Sequence, residues 1–224
     1  MDYSVSFSFI LLSTHPEKGY FLNSGTSFNY GLIGAIIMDM TAAGLLETKD
    51  HKLYVKNSET EDPLAVKIIH EIQTKKKARK IKYWITKLGG HSVKYKKILI
   101  HQMQEQEIIQ IVRKKFLGLI PYKRYKILML DKRKLLINRL YDDLIHDKKL
   151  SEKESTMLGL IKATNIQRIL YVEGANKKEV RKKLRKRVKE DALSMDVSRS
   201  IQEVQAAIAA ASTSGAVVAS AGGN

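Results

Sequence analysis

The side chains that most often carry chemistry are present, but they show none of the spacings that catalysis needs. No two histidines stand in the H-x-x-x-H or H-E-x-x-H spacing of a helical zinc site. The closest acid groups, Asp142 and Asp143 with Asp147 and Glu105 with Glu107, are typical of solvated helix faces or charge partners. The chain contains no G-x-S-x-G elbow, no G-x-G-x-x-G loop and no Walker A loop. These patterns disfavour an enzyme.

The absence of cysteine narrows the chemistry further. The 224 residues contain no Cys, which excludes disulfide scaffolds, thiol nucleophiles, iron–sulfur clusters and Cys-ligated zinc. With 44% hydrophobic residues the chain can bury a core, and its 3 prolines permit long helices. We therefore predict neither a metal nor a cofactor.

Charge is the most informative feature of the composition. The chain has 40 Lys+Arg against 23 Asp+Glu, a net charge of +17. Segments 72–104, 113–139 and 177–189 hold 29 of the basic residues and 2 of the acids, so the remainder is acidic. If these segments fold onto one side, the surface suits an anionic partner, either an acidic membrane or a nucleic acid. The alternative is a set of solvated lysine-rich helix faces.

Nothing in the sequence predicts insertion into a membrane. Asp2 and the serines of the first 14 residues are unlike a secretory signal. The run at 204–224 is rich in Ala, Ser and Gly, which are too weakly apolar to drive insertion. We expect a cytoplasmic protein that lies peripherally on the cytoplasmic face of any membrane it binds.

The elements that must position these charges are predicted to be mainly helical. Residues 5–9 alternate like a strand, but Val5, Phe9 and Leu12 also share a helix face, and both interpretations stay open. Gly31 and Gly34 lie in a predicted buried helix, where they allow close packing. Helices are predicted at 27–40, 60–74 (capped by Thr60), 80–88, 92–115 (capped by Ser92), 131–147, 151–171 (with a capping box) and from 176 with a break near 194–196; strands at 45–48 and 52–55, after Gly44; and a hairpin at about 116–130.

This order of elements predicts the fold class. We expect one domain over 3–212, mainly α, in which a helical bundle carries a protruding amphipathic β-hairpin and a few short strands. A low-complexity tail at 213–224 is predicted to be disordered.

Seven short motifs give the chain a family resemblance. They are PEKGY (16–20), YGLIGA (30–35), AAGLLE (42–47), DPLA (62–65), YWITKL (83–88), GLIPYKRY (118–125) and VSRSIQEVQAAIAAA (197–211). In this order, spanning about 9–211, they resemble the Golgi phosphoprotein 3 family, and in particular its short bacterial members. The resemblance implies a helical domain with a hairpin, no enzymatic activity, and peripheral membrane binding through phosphatidylinositol 4-phosphate.

The family's lipid pocket can be carried over position by position. Without gaps, its tryptophan falls on Ser24 and its first arginine on Ile33, while two further arginines fall near His101 and Gln104. None of these four residues offers the stacking bulk or the permanently charged bidentate donor that grips a phosphate. The specific lipid chemistry is therefore not retained at these positions.

The remaining candidate residues belong to a general anionic surface contact. The candidate cations are Lys94, Lys97, Lys123, Arg124 and Lys126. The candidate membrane or dimer contacts on the hairpin are Leu117, Leu119, Ile120, Pro121, Tyr122 and Tyr125. Three functions stay open: a peripheral membrane protein, a basic helical nucleic-acid-binding protein, and a self-assembling scaffold that forms homo-oligomers through the hairpin.

Overall fold

The structure is a computed structural model that describes residues 3–23, 25–50, 52–117 and 119–190, together with Ala206 and Ala210. Over these residues the chain is mainly helical with two small antiparallel sheets, as the sequence predicted. The helices are α1 Val5–Ser13, α2 Gly25–Ala42, α3 Pro63–Gln73, α4 Ile81–Gly90, α5 Ser92–Glu105, α6 Leu130–Ile145, α7 Glu152–Ala163 and α8 Lys177–Glu190, with a 3-10 turn at Gln167–Leu170. Within the described residues, none of these helices combines the length and the hydropathy that a bilayer crossing requires.

The strands form two separate sheets. β1 (Leu46–Lys49), β2 (Lys52–Val55) and β3 (Arg79–Lys80) make an antiparallel sheet in that order. Among the described residues, β4 (Ile109–Phe116) and β5 (Ile120–Ile127) form a two-stranded sheet of their own, a long hairpin. The predicted strands at 45–48 and 52–55 are confirmed, with the first shifted by one residue, and Gly44 before them has a left-handed backbone with φ of 71°.

Helix α1 lies at the centre of the core, which settles the strand-or-helix question for residues 5–9. All nine of its residues are buried, and it packs against α2, α5, α6 and α7. Gly31 of α2 permits one of these contacts, because a Cβ there would lie 2.5 Å from the Phe9 ring and 2.5 Å from the Thr164 methyl group. The close packing predicted for Gly31 is thus confirmed.

Both ends of α1 are stabilised by charged side chains from other helices. At the start, the Asp39 carboxylate accepts the backbone N–H groups of Val5 and Ser6 at 2.6 and 2.8 Å. At the end, Arg133, which is only 7% exposed, donates to the carbonyl oxygens of Leu11 and Leu12 at 3.1 and 3.3 Å. An anion at the N-terminus and a cation at the C-terminus both complement the helix dipole.

The predicted helix over 92–115 is confirmed only as far as Glu105, and its second part is wrong. Helix α5 ends at Glu105, Glu107 adopts a left-handed φ of 54°, and β4 begins at Ile109. The β-branched residues that follow pair with β5 instead of continuing the helix. The hairpin predicted at about 116–130 therefore covers only the turn and the second strand of a ladder that runs from Ile109 to Ile127.

Smaller boundary predictions also need correction. The N-cap of α3 is Asp62, whose carboxylate accepts the Leu64 N–H at 3.0 Å, and not Thr60. Ser92 is the first residue of α5 and makes no capping bond. The capping box at Ser151 is confirmed. The helix that it opens ends at Ala163, well before the predicted residue 171.

Some predictions fall on residues that the structure does not describe. The break near 194–196, the tail at 213–224 and, apart from Ala206 and Ala210, the alanine-rich segment 197–211 lie outside the described residues. So does Ser24, the first of the pocket-equivalent positions.

Candidate functional site: the basic hairpin

Residues 109–127, which we call the basic hairpin, contain six Lys and Arg and no acid. Eight cross-strand pairs run from Ile109–Ile127 at the base to Phe116–Ile120 at the tip. Side chains directly opposite each other share a face of the ladder, and the faces alternate along it. The register therefore decides which cations stand together.

One face of the basic hairpin packs against the helical body only at its base. The base pair Ile109–Ile127 is buried, and the next pair on the same face, Ile111–Tyr125, is half-buried against the core. Further out, this face carries Arg113 opposite Lys123, both of which are exposed. On this face the first two cross-strand pairs contact the helical body and are apolar, and the pairs beyond them project away from the body and carry cations.

The other face presents a second row of cations. Lys126, Arg124 and Tyr122 follow one another along it, with Lys114 opposite Tyr122. The Arg124 guanidinium lies 4.7 Å from the Tyr122 ring centroid and 5.7 Å from that of Tyr20. Such cation–π contacts hold the charge in place without neutralising it.

The tip of the basic hairpin is apolar and exposed. Leu117, Leu119 and Ile120 are 81%, 82% and 63% exposed, although side chains of this kind normally avoid water. Leu117 has a left-handed φ of 48°, an uncommon conformation for a residue with a Cβ. Leu117, Leu119 and Ile120 therefore stand at the end of the ladder, beyond the cations. The other candidate contacts lie further back, since Tyr122 stands among the cations and Tyr125 is half-buried at the base.

Proline fits into the second strand without loss of a ladder bond. The Tyr125 N–H points away from β4, because it donates to the Gly19 carbonyl oxygen at 2.8 Å. By alternation, the nitrogen of Pro121 also points away from β4, where no ladder hydrogen bond is expected.

The loop before α2 fixes the base of the hairpin. In addition to the hydrogen bond from Tyr125 to Gly19, the ring centroids of Tyr125 and Phe21 lie 5.0 Å apart. The Phe21 ring in turn stacks on Phe28, with 4.0 Å between the ring centroids. Burial raises the pKa of the Tyr125 hydroxyl. Gly19 has a φ of 64°, and a Cβ there would lie only 2.7 Å from the Tyr125 carbonyl oxygen. Glycine is therefore required at this crossing.

Lys96 lies beside the base of the hairpin, and the sequence alone did not identify this cation as a candidate. Its Nζ lies 5.5 Å from the Phe21 ring centroid and 5.7 Å from that of Phe28. Burial lowers the pKa of its ammonium, and within the described residues no carboxylate pairs with it. The sequence showed one more lysine in a basic segment, and no local signal distinguishes it.

The hairpin cations are also without acid partners. In the part of the chain that the structure describes, none of the six forms an ion pair with a carboxylate, and Lys123 and Lys126 are exposed. Lys97 on α5 is exposed too. Lys94 differs, because its Nζ lies 3.3 Å from Glu71, whose other oxygen is 2.7 Å from Lys87. Of the five candidate cations, Lys94 is therefore the one whose charge is compensated by a carboxylate within the described residues.

Two arginines that follow the hairpin in sequence serve the fold instead. Arg133 is buried against α1, and burial lowers its pKa. Arg139 lies 2.6 Å from the carboxylate of Glu154. The basic segment 113–139 is therefore not one continuous patch. Among the described residues, its cations without a carboxylate partner at the surface are those of the hairpin with Lys132 and Lys134 of α6.

The described positions that match the family's lipid pocket do not share one environment. Ile33 is fully buried in the core, at 0% exposure. His101 and Gln104 lie on the exposed side of α5, where His101 Nδ1 is 3.3 Å from Glu105. Their equivalence to the family's phosphate-binding residues stays a prediction.

Carboxylates gather around one cavity of about 420 Å³, but each has a structural contact. Asp39 caps α1, Asp62 caps α3 and Glu105 lies beside His101. Burial raises the pKa of Asp39, against the lowering effect of its hydrogen bonds from Ser6 and Val5. The acid groups noted in the sequence behave similarly, since Asp142 contacts Lys148 and His146.

Comparison with known proteins agrees with the order of the motifs. The sequence model of Golgi phosphoprotein 3 (GPP34) matches residues 8–204, which includes both the core helices and the basic hairpin. No match to a curated protein was found. Since the match covers most of its length, the chain belongs to the Golgi phosphoprotein 3 (GPP34) family.

Proposed function

We propose that this chain is a non-enzymatic protein that binds peripherally to anionic membranes through the basic hairpin. One observation carries the proposal: an apolar tip, Leu117, Leu119 and Ile120, stands exposed at the end of a ladder that has six cations and no acid. An exposed apolar patch ringed by cations suits a surface that is negatively charged outside and apolar beneath. Membership of the family supports the same function, because the resemblance to this family implies peripheral membrane binding.

The apolar tip and the cations of the basic hairpin are expected to contribute comparable free energies to membrane binding. Complete burial of a large aliphatic side chain stabilises by about 1.5–3 kcal/mol, and three such side chains are mostly exposed at the tip. Each Lys or Arg close to an anionic membrane adds about 1 kcal/mol, within roughly one Debye length. Neither part alone gives firm binding, so we expect both the apolar tip and the lipid charge to be needed.

We further propose that the attraction is to surface charge rather than to a single head group. Ile33 is buried and Gln104 is uncharged, so two of the positions matched to the family's pocket provide no cation. Among the described residues, no carboxylate pairs with the cations of the basic hairpin or with the half-buried Lys96, so the head group of any anionic lipid can pair with them. Since anionic lipids are concentrated in the cytoplasmic leaflet, binding is proposed to occur from that side.

Vesicle co-sedimentation at physiological salt tests the proposal. The variant is Leu119→Ser with Ile120→Ser, which removes apolar area from the tip at constant charge. The control is Leu135→Ser on α6, which is 69% exposed and lies outside the hairpin. We expect the tip variant to bind phosphatidylglycerol vesicles at least about tenfold more weakly, and the control to bind like the natural sequence.

The outcomes are distinct. No binding to any anionic vesicle, or equal binding by the tip variant, would overturn the proposal. Binding to vesicles with phosphatidylinositol 4-phosphate well above that to phosphatidylglycerol at matched surface charge would overturn the non-selective part. Tight binding to duplex DNA that the tip variant retains, together with no vesicle binding, would favour a nucleic-acid partner instead.

A further inference from the structure

A second basic site is built from elements other than the basic hairpin. A cavity of about 280 Å³ opens between the end of α7 and the exposed side of α8. The lining residues are Lys162, Asn165, Gln167, Arg181, Leu184 and Arg185. Three of them are cations, two are amides and none is an acid. We call this cavity the α7–α8 pocket.

The fold brings these side chains together in a simple way. Val180 and Leu184 bury one side of α8 in the core, and Arg181 and Arg185, one turn apart, stand beside that buried stripe. On the other wall, α7 ends at Ala163, and Asn165, with a left-handed φ of 61°, turns the chain back. Two arginines thus face the end of another helix.

The two arginines are charged neighbours without acid partners. Among the described residues, no carboxylate forms an ion pair with Arg181 or Arg185, and like charges four residues apart on a helix repel each other. The Arg181 Nε donates to the Tyr171 hydroxyl oxygen at 2.6 Å. This bond orients the guanidinium and leaves its terminal N–H groups for another acceptor. An anion in the pocket would relieve the repulsion.

The amide wall is held in place by one hydrogen bond. Gln167 Nε2 donates to Asn165 Oδ1 at 2.9 Å, which fixes the orientation of both amides. Gln167 Oε1 is buried and, within the described part of the chain, accepts no hydrogen bond. Each carboxamide carries two N–H groups, so this pair of side chains can also donate to an anion in the pocket.

The end of α7 does not compete for the cations. The carbonyl oxygens of its last turn accept backbone N–H bonds from residues 164–166 at 2.9–3.2 Å. Capping of α7 is therefore achieved by the backbone itself, and the arginines of α8 are not required for it.

We propose that the α7–α8 pocket binds a phosphoryl group, either as free phosphate or pyrophosphate or as the phosphomonoester of a lipid head group. Planar guanidinium groups bind phosphate oxygens in pairs, and the side-chain amides of Asn165 and Gln167 add N–H donors. A cavity of about 280 Å³ is large enough for such a group. This site is independent of the membrane contact proposed for the hairpin.

Titration of the full chain with inorganic phosphate and with pyrophosphate, at fixed ionic strength, tests the site. Calorimetry gives the affinity, and the NMR signals of the Asn165 and Gln167 side-chain amides report on the location. The variants are Arg185→Gln, whose side chain makes no described hydrogen bond, and Arg181→Gln with Arg185→Gln. The control is Lys178→Gln with Lys182→Gln, two exposed cations of α8 that do not line the pocket.

We expect the double pocket variant to bind pyrophosphate at least about tenfold more weakly, since each lost charged contact contributes strongly. The affinity of the control variant, which loses the same charge, should change by less than about twofold. Equal weakening in both variants would show general attraction to a basic helix and would overturn the proposal. An unchanged thermal unfolding midpoint in Arg185→Gln confirms that the fold is intact.

A vesicle arm distinguishes the two sources of the phosphoryl group. Phosphatidic acid carries a phosphomonoester, whereas phosphatidylglycerol carries a diester. A preference for phosphatidic acid at matched surface charge that the pocket variants lose would assign the site to a lipid head group. Saturable binding of the soluble ions alone would assign it to free phosphate. If neither is bound, the proposal is wrong, whatever the hairpin variants show.

Discussion

Replacing Arg133 by methionine tests how the buried helix α1 is stabilised. Methionine keeps much of the apolar stem but removes the two hydrogen bonds to the carbonyl oxygens of Leu11 and Leu12, at 3.1 and 3.3 Å. Both acceptors then lie in the core without a donor, and the positive charge at the end of α1 is lost. We expect Arg133→Met to destabilise the whole fold.

The magnitude follows from three contributions. Each buried carbonyl left without its donor costs about 1–3 kcal/mol, and the charge at the helix end contributes about 0.3–2 kcal/mol. Burial lowers the pKa of Arg133, which means that the buried cation is itself unfavourable, and the variant is relieved of that cost. We expect the free energy of unfolding to fall by about 3 kcal/mol, which corresponds to a fall in Tm of about 6–12 °C for a chain of this length.

Thermal unfolding followed by circular dichroism measures this loss. The matched control is Lys134→Met, the same kind of change at the exposed neighbouring position of α6, which should stay within about 0.5 kcal/mol. If Arg133→Met unfolds within about 2 °C of the natural sequence, the bonds to α1 only offset the cost of burying the guanidinium, and the reasoning fails.

Three further changes test other contacts. Gly19→Ala should loosen the base of the hairpin by about 1–3 kcal/mol, because its Cβ would meet the Tyr125 carbonyl oxygen at 2.7 Å; unchanged amide-exchange protection of Tyr125 would contradict this. The Lys87 ammonium lowers the pKa of Glu71 in the folded state, so the stability this carboxylate contributes is present above about pH 4.3 and is lost as pH falls through the lowered pKa. The destabilisation by Glu71→Gln at pH 7 should therefore shrink towards pH 3, and an effect independent of pH would refute the assignment. Ser151→Ala should cost about 1 kcal/mol in urea unfolding by breaking the capping box, and no change would show that the cap contributes nothing.

Local patterns predicted most of the helices because each signal lies within a few residues. The capping box at Ser151 and the apolar stripe of α3 are of this kind. The prediction for the segment that follows α5 was wrong, because the spacing of Ile108, Ile109 and Val112 fits a helix as well as a strand. Only pairing with β5, which lies further along the chain, decides between the two.

The contacts that position the site could not be predicted, because they join residues far apart in sequence. The bond from Arg133 to α1 spans 122 residues, and that from Asp39 spans 34. Lys96 was visible as one lysine in a basic segment, but its position over Phe21 and Phe28 depends on how α2, α5 and the preceding loop pack. The exposure of Leu117, Leu119 and Ile120 at the turn could be anticipated because turn chemistry is local, while their role as membrane or dimer contacts stays a prediction.

The register of the basic hairpin places Arg113 directly opposite Lys123. Like charges in direct opposition raise the free energy of the closed ladder, and dissolved salt screens their repulsion. The outer half of the hairpin should therefore open more often at low ionic strength and become better protected from amide exchange as salt is added. This is the opposite of the salt response of an element held by surface ion pairs.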